Sequence, residues 1–242
     1  VEFDAGHVLD GGPLKLSILI PAYNEEATIE AVLDAVLAVN LPGSTSREIV
    51  VVDDASTDRT AAILSRRASD VVRVFRQDRN RGKGSAIRRA IQEATGDICI
   101  IQDADLEYDP RDFPLLIGPI VEKGADAVYG SRFTGSHRVF LYWHFMANKS
   151  LTWLVNILYD TMLTDMETGY KAIRTPILRE MKLKSNTFDI EPEITAKLFK
   201  KRRKVFEVPI SYNGRSYAEG KKIGLKDAFI ALWAIFRFRF SD

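Results

Sequence analysis

Asp97-Ile-Cys-Ile-Ile-Gln-Asp-Ala-Asp105 sets an unbroken apolar run directly before two carboxylates. A short apolar run bounded by polar residues fits a strand buried on both faces of a sheet. The pattern recurs toward the N-terminus. Leu16-Ser-Ile-Leu-Ile20 is ended by Pro21, and Glu48-Ile-Val-Val-Val52 is ended by Asp53-Asp54. Residues 71–75 read as another strand. Helical spacing fills the gaps. Apolar residues fall at Ile29, Val32, Leu33, Val36 and Leu37 behind an Asn24 cap, with Glu25 and Glu26 in the first turn. Residues 59–68, 85–94 and 111–123 are the next helices, and 127–129 a short strand. This alternation predicts an α/β fold, a mainly parallel sheet flanked by helices. Such sheets bind ligands beyond the carboxyl ends of their strands. Asp53-Asp54 and Asp103/Asp105 both lie at such ends.

The second half is less regular. Residues 144–159 and 191–200 predict helices, 205–210 a strand and 225–238 an aromatic-rich helix. With no repeat, linker or low-complexity run, residues 1–242 are expected to form a single domain, with 224–242 as its closing helix and tail. A 46% apolar share over 242 residues supplies a sizeable core. The formal net charge is +1, which argues against nucleic acid as a partner, so any anion must meet a local basic patch. The lone cysteine, Cys99, cannot form an internal disulfide, which points to the cytosol or its membrane face. In its apolar run Cys99 is read as a small hydrophobe ahead of a reactive thiol. Neither a signal peptide nor an apolar stretch of the ~18–20 residues that span a bilayer is expected.

Asp103 and Asp105 are two residues apart, so at an extended strand end they face the same way. Two carboxylates on one side make a hard-oxygen site suited to Mg2+ or Mn2+. Such an ion can bridge a diphosphate and neutralise the leaving group. Glu107, two further on, is expected to join the shell. For Asp53-Asp54 two readings stand: contact with a base or ribose, or capping of the next helix along with Asp58. Arg81-Gly-Lys83-Gly84 precedes a helix, and its glycines and the Lys83 charge suit an anion. It is neither G-x-G-x-x-G nor a P-loop.

Four runs together resemble glycosyltransferase family 2: Ile20-Pro-Ala-Tyr-Asn-Glu25, Val52-Asp-Asp-Ala-Ser-Thr-Asp58, Gly82-Lys-Gly84 and Asp103-Ala-Asp-Leu106. Tyr129-Gly-Ser-Arg132, Asp165-Met-Glu-Thr-Gly-Tyr-Lys171 and Phe188-Asp-Ile-Glu-Pro-Glu193 extend the likeness toward the dolichol-phosphate mannosyltransferases and polyprenyl-phosphate glucosyltransferases. The resemblance implies a GT-A-like, Rossmann-like fold. It places Pro21, Ala22, Tyr23, Glu25, Asp53, Asp54, Lys83, Asp103 and Ala104 around a nucleotide sugar. Asp103, Asp105 and Glu107 then surround the metal, and Arg132 meets an acceptor phosphate. Many members carry glycine where this chain has Ala55, and many polyprenyl-phosphate enzymes carry C-terminal transmembrane helices.

The acceptor can be argued from chemistry. A sugar hydroxyl needs a general base, for which Asp165 is the candidate, its other reading being that it only orients neighbouring groups. A phosphate monoester is already anionic near neutral pH and needs cations instead. Arg132, Lys171, Arg215, Lys221 and Lys222 supply them. Residues 224–240, aromatic and ending in Arg237 and Arg239, fit either a membrane-interface helix or a helix packed on the domain. The expected activity is inverting transfer of a hexose from UDP-glucose or GDP-mannose to a polyprenyl (dolichyl) phosphate at the cytoplasmic face of a membrane. The rivals are transfer to a soluble sugar or glycan hydroxyl, and a nucleotide-binding regulator without turnover.

Overall fold

A computed structural model describes residues 13–139, 141–214 and 225–241. Its centre is a seven-stranded sheet of β1 (Lys15–Ala22), β2 (Ser46–Asp53), β3 (Val72–Arg76), β4 (Ile98–Ile101), β5 (Ala127–Ser131), β6 (Lys171–Arg174) and β7 (Val205–Pro209). The spatial order is β3-β2-β1-β4-β6-β5-β7. Only β6 runs against its neighbours, pairing antiparallel with both β4 and β5. The alternating pattern of the first half thus yields the parallel sheet it predicts. The antiparallel insertion was not foreseen. Two of the four residues of β6, Lys171 and Arg174, are cationic, so no apolar run marks it. Both are buried. Arg174 satisfies its guanidinium on the carbonyls of Ala125 and Ile120.

Helices cover both faces. On one side α1 (Ile29–Ala38), α2 (Thr60–Arg67) and α4 (Phe113–Lys123) bury Val32, Leu33, Leu64 and Leu116 against Ile18, Ile20 and Ile49. On the other, α3 (Lys83–Glu93), α5 (Tyr142–Tyr159), α6 (Thr175–Glu180), α7 (Ile190–Lys200) and α8 (Leu225–Phe240) meet Leu19, Val50 and Ile101. Cys99 is buried, 3.3 Å from Thr175 Oγ1, and burial pushes its thiol up to about 11. The hydrophobe reading therefore fits it, since an un-ionised thiol is unreactive.

Two local expectations are corrected. Pro21 does not break β1, which continues to Ala22 with Pro21 opposite Val52. Asn24 does not cap α1. Its backbone is left-handed at φ 53° and its side chain accepts from Thr57 N at 2.8 Å. The helix instead starts at Ile29, whose N–H reaches the Glu25 carbonyl at 2.9 Å.

Candidate active site

The parallel strands bring Ala22, Asp53 and the segment after Ile101 to one edge of the sheet. Because β6 runs the other way, its N-terminal end lies at that same edge. The loop 165–170 is thereby carried into the site. Gly169 allows a close approach there, since a Cβ at this position would stand 2.7 Å from Asp103 Oδ2. The Gly169 N–H donates to Tyr108 Oη at 2.7 Å.

β4 ends at Ile101, so Asp103 and Asp105 sit on a turn, and the alternation of an extended strand does not set their geometry. Leu106 is left-handed at φ 61°, which turns the chain after Asp105. Glu107 is thereby aimed elsewhere: its Oε2 accepts from Tyr212 Oη at 2.6 Å. The oxygen of Glu107 expected to face a metal is thus shared with Tyr212. Among the described residues no three His, Cys, Asp or Glu side chains converge into a ready-made metal cage. Two carboxylates on one turn still suit a magnesium-like ion, which takes one or two protein carboxylates and completes its shell with water and substrate phosphate. An internal cation already tests one of them: Lys83 Nζ lies 2.7 Å from Asp103 Oδ1.

Lys83 opens α3, and Asp54 builds the loop before it. Asp54 accepts from the backbone N–H of Arg81 at 2.9 Å and of Gly82 at 2.7 Å, and from Gln77 Nε2 at 2.8 Å. Burial pushes its carboxyl up, against the pull of those two amides. Gly82 adopts φ 93°, open only to glycine, and a Cβ there would collide with the Asn186 carbonyl. The Gly82 amide expected to meet an anion is therefore spent on an internal carboxylate. Asp53 accepts from Ser56 N at 2.9 Å, and its Oδ2 lies 3.3 Å from Arg76 Nε. Both aspartates organise loops, and neither caps α2, the helix that follows them; there only Asp58 accepts from a first-turn amide, Thr60 N at 2.9 Å.

Pro21, Ala22, Tyr23 and Glu25 follow the end of β1. Tyr23 is exposed, whereas Ala22 and Ala104 are buried. Thr28 ties this segment to the acidic turn: its hydroxyl donates to Glu25 Oε2 at 3.0 Å or to the Ala104 carbonyl at 2.7 Å.

Beneath the acidic turn lies a row of charges that sequence reasoning named only in part. Lys83 Nζ is 3.5 Å from Glu191 Oε1, and Glu191 Oε2 pairs with Lys171. Burial alone pulls the Lys83 ammonium down. Asp103 and Glu191 more than offset this and hold it above the ordinary lysine range. Lys171 is fully buried, bonded to Glu191 and to the carbonyls of Met166 and Thr168. This corrects its assignment to an acceptor phosphate, because its three donors are already directed inward.

Arg132 follows β5. Its Nε and Nη2 grip the two oxygens of Asp165 at 2.7 Å each. Asp165 is fully buried with both oxygens taken by Arg132, a geometry that fits a group orienting its neighbours better than a general base. Arg132 itself is 12% exposed and lies 5.4 Å from the Tyr212 ring. Lys149 of α5, which no sequence signal singled out, bonds the Thr164 carbonyl at 2.9 Å and sits 4.3 Å from the Phe133 ring. Arg215, Lys221 and Lys222 lie outside the described residues.

The chain is 32% identical to a dolichol-phosphate mannosyltransferase of Pyrococcus furiosus, over 93% of this chain and 63% of that one. It is 30% identical to an undecaprenyl-phosphate 4-deoxy-4-formamido-L-arabinose transferase of Pectobacterium atrosepticum, over 87% and 63%. A dodecaprenyl-phosphate galacturonate synthase of Rhizobium johnstonii matches at 26%, over 86% and 62%. The chain thus spans under two thirds of the length of these relatives. Glucosyl-3-phosphoglycerate synthase from Mycobacterium tuberculosis, solved with Mn2+, UDP and phosphoglyceric acid, superposes with a TM-score of 0.72. At 21% identity, over 95% of this chain and 80% of that one, it shares the fold, as expected of a GT-A-like sheet. The sequence profile of glycosyl transferase family 2 matches residues 17–185, and the chain belongs to that family.

Proposed function

We propose that this chain is the catalytic part of an inverting, metal-dependent hexosyltransferase that uses UDP-glucose or GDP-mannose as donor and a polyprenyl phosphate as acceptor. One observation carries the reading. Asp103 and Asp105 share a turn at the carboxyl edge of the sheet, with Lys83 against Asp103 and Arg132 on the loop after β5. The relatives named for polyprenyl-phosphate sugar transfer support the acceptor.

In this mechanism Asp103 and Asp105 would hold Mg2+ or Mn2+, which when bound would supply positive charge against the diphosphate leaving group. Pro21 to Glu25, with Asp54 behind them, form the nucleotide side, and Lys83 adds positive charge near the phosphates. A phosphate acceptor attacks without a base. That agrees with Asp165 being locked to Arg132. Arg132 directs the acceptor through the guanidinium N–H donors left beyond that pair, and Lys149 adds a cation nearby.

A bilayer acceptor calls for a route to the membrane. No described helix is long and apolar enough to cross one. The helices α5 and α8 touch, and they expose Trp143, Trp153, Phe229, Trp233 and Phe240, each more than 60% accessible. The opposite side of α8 buries Ala234 and Phe238 against Ala196 of α7. Aromatic side chains beside Arg237 and Arg239 suit the interface of an anionic membrane. The single buried cysteine favours the cytoplasmic face.

The deciding experiment offers a panel of nucleotide sugars with a short polyprenyl phosphate and Mg2+ or Mn2+, scored for lipid-linked product. Transfer only to a soluble acceptor would overturn the lipid reading. The phosphoglyceric acid bound to the M. tuberculosis enzyme makes that the first competitor to include.

A further inference from the structure

The Lys83 ammonium has two carboxylate seats. It rests 2.7 Å from Asp103 Oδ1, and Glu191 Oε1 stands 3.5 Å away. That second oxygen is buried and has no hydrogen-bond partner. The other oxygen of Glu191 is held by Lys171, which is fully buried and anchored to two carbonyls. Glu191 is therefore fixed in place with one acceptor to spare. Buried acceptors left unpaired are costly and call for an explanation.

A divalent ion held by Asp103 and an ammonium on the same carboxylate would compete, because like charges at that spacing repel strongly when water is partly excluded. Lys83 has little freedom to leave. Its side chain is 14% exposed, and the backbone on either side is packed against residues 185–187. The nearby spare acceptor is Glu191.

We infer that Lys83 is an internal counter-cation that holds Asp103 before the metal arrives and moves onto Glu191 when the metal binds. Glu191 is then a positioning residue for the metal site, although it does not touch the metal. The exchange rests on the reading that Asp103 and Asp105 bind a divalent ion. Its consequence is that metal binds weakly to the free protein and well once a diphosphate is present, because displacing the ammonium opposes the ion and the diphosphate supplies further ligands to it. The protein thus favours loading metal and donor together.

The test is Mn2+ binding followed by the electron paramagnetic resonance signal of free Mn2+, on the whole chain, with and without UDP. Lys83→Met should bind Mn2+ about tenfold more tightly than wild type when UDP is absent, a difference of one decade in Kd. Glu191→Gln should bind it several-fold more weakly, because the ammonium loses its alternative seat. In the Lys83→Met background, adding Glu191→Gln should change nothing further, which a merely structural role for Glu191 would not give. If Glu191→Gln fails to fold, the Lys83→Met comparison decides alone. Unchanged or weaker Mn2+ binding by Lys83→Met, with wild type still binding Mn2+ in UDP, overturns the exchange and leaves the metal reading standing. No Mn2+ binding by any form even in UDP overturns both.

Discussion

Arg132 and Asp165 form a two-pronged ion pair, Nε to Oδ2 and Nη2 to Oδ1, both at 2.7 Å, with the Arg132 N–H also on Oδ2 at 3.1 Å. Asp165 is fully buried, so its charge depends on this partner. Arg132→Ala should therefore cost roughly 3–5 kcal/mol in urea unfolding, whereas replacing both residues by apolar ones of similar size should recover most of it. Arg132→Lys keeps charge but loses the fork. It should raise the acceptor KM about tenfold, near 1.4 kcal/mol, with donor affinity little changed. Equal losses for both substrates would assign Arg132 to the donor or to the fold.

Asp105 lies on the acidic turn and is partly exposed, so its loss should leave the fold intact. Asp105→Asn removes one charge and one metal bond. Transfer should fall by about a hundredfold or more, near 3 kcal/mol or above in the barrier. The thermal midpoint should stay within a few degrees of wild type. A folded Asp105→Asn protein fully active in EDTA would refute the metal role.

Ala55 adopts φ 59°, a left-handed backbone that a side chain disfavours. Ala55→Gly should relieve that strain but lose some chain entropy, for a net gain of up to about 1 kcal/mol. Chemical denaturation would show it. A loss of stability would mean that the Ala55 methyl contributes packing that outweighs the strain.

Burial pushes the Glu167 carboxyl up to about 7. Lys171 from β6 pulls it down, Glu191 from α7 pushes it up, Arg132 pulls down and Asp165 pushes up. Its Oε1 is buried without a hydrogen-bond partner. A carboxyl held more tightly protonated in the folded state costs stability once both states ionise. Stability should thus fall as pH rises from the ordinary carboxylate range to about 7. Glu167→Gln should be close to neutral at pH values below that range and stabilising by up to about 3 kcal/mol above pH 7 or so. A benefit of equal size at low pH would contradict this origin.

The exposed aromatics of α5 and α8 should carry membrane binding. The protein is expected to sediment with anionic liposomes, less so in high salt, since each basic residue near such a surface contributes roughly 1 kcal/mol. Replacing Trp143, Trp153 and Trp233 together by Ala should release it while transfer to a short water-soluble acceptor survives. Indifference of the intact protein to liposomes of every charge would point to a protein partner or a soluble acceptor.

The parallel half of the sheet could be read directly from the chain. β1, β2 and β4 carry apolar runs that fill both faces, and β2 and β4 run directly into residues too polar to be buried without partners, so for these two local composition marks both the strand and its functional end. The acidic turn and the Asp53-Asp54 pair were legible for the same reason. β6 was not, because its end residues are cations whose burial is made tolerable only by partners far along the chain: Glu191 for Lys171, and the Ala125 and Ile120 carbonyls for Arg174.

Composition and spacing settled which residue types stand at the carboxyl edge of the sheet. Which of them face outward was decided by tertiary structure. Asp54 spends its oxygens on the loop of Lys83, Glu107 turns to Tyr212, Asp165 is closed by Arg132 and Lys171 is sealed beneath Glu191. A charged side chain has the same chemistry in any sequence context, but its availability depends on whether an opposite charge or a backbone amide has reached it first. Here those partners lie 27 to 105 residues away, except Glu191, which stands 20 from Lys171. Contacts at that separation exist only once the sheet has brought its strands together.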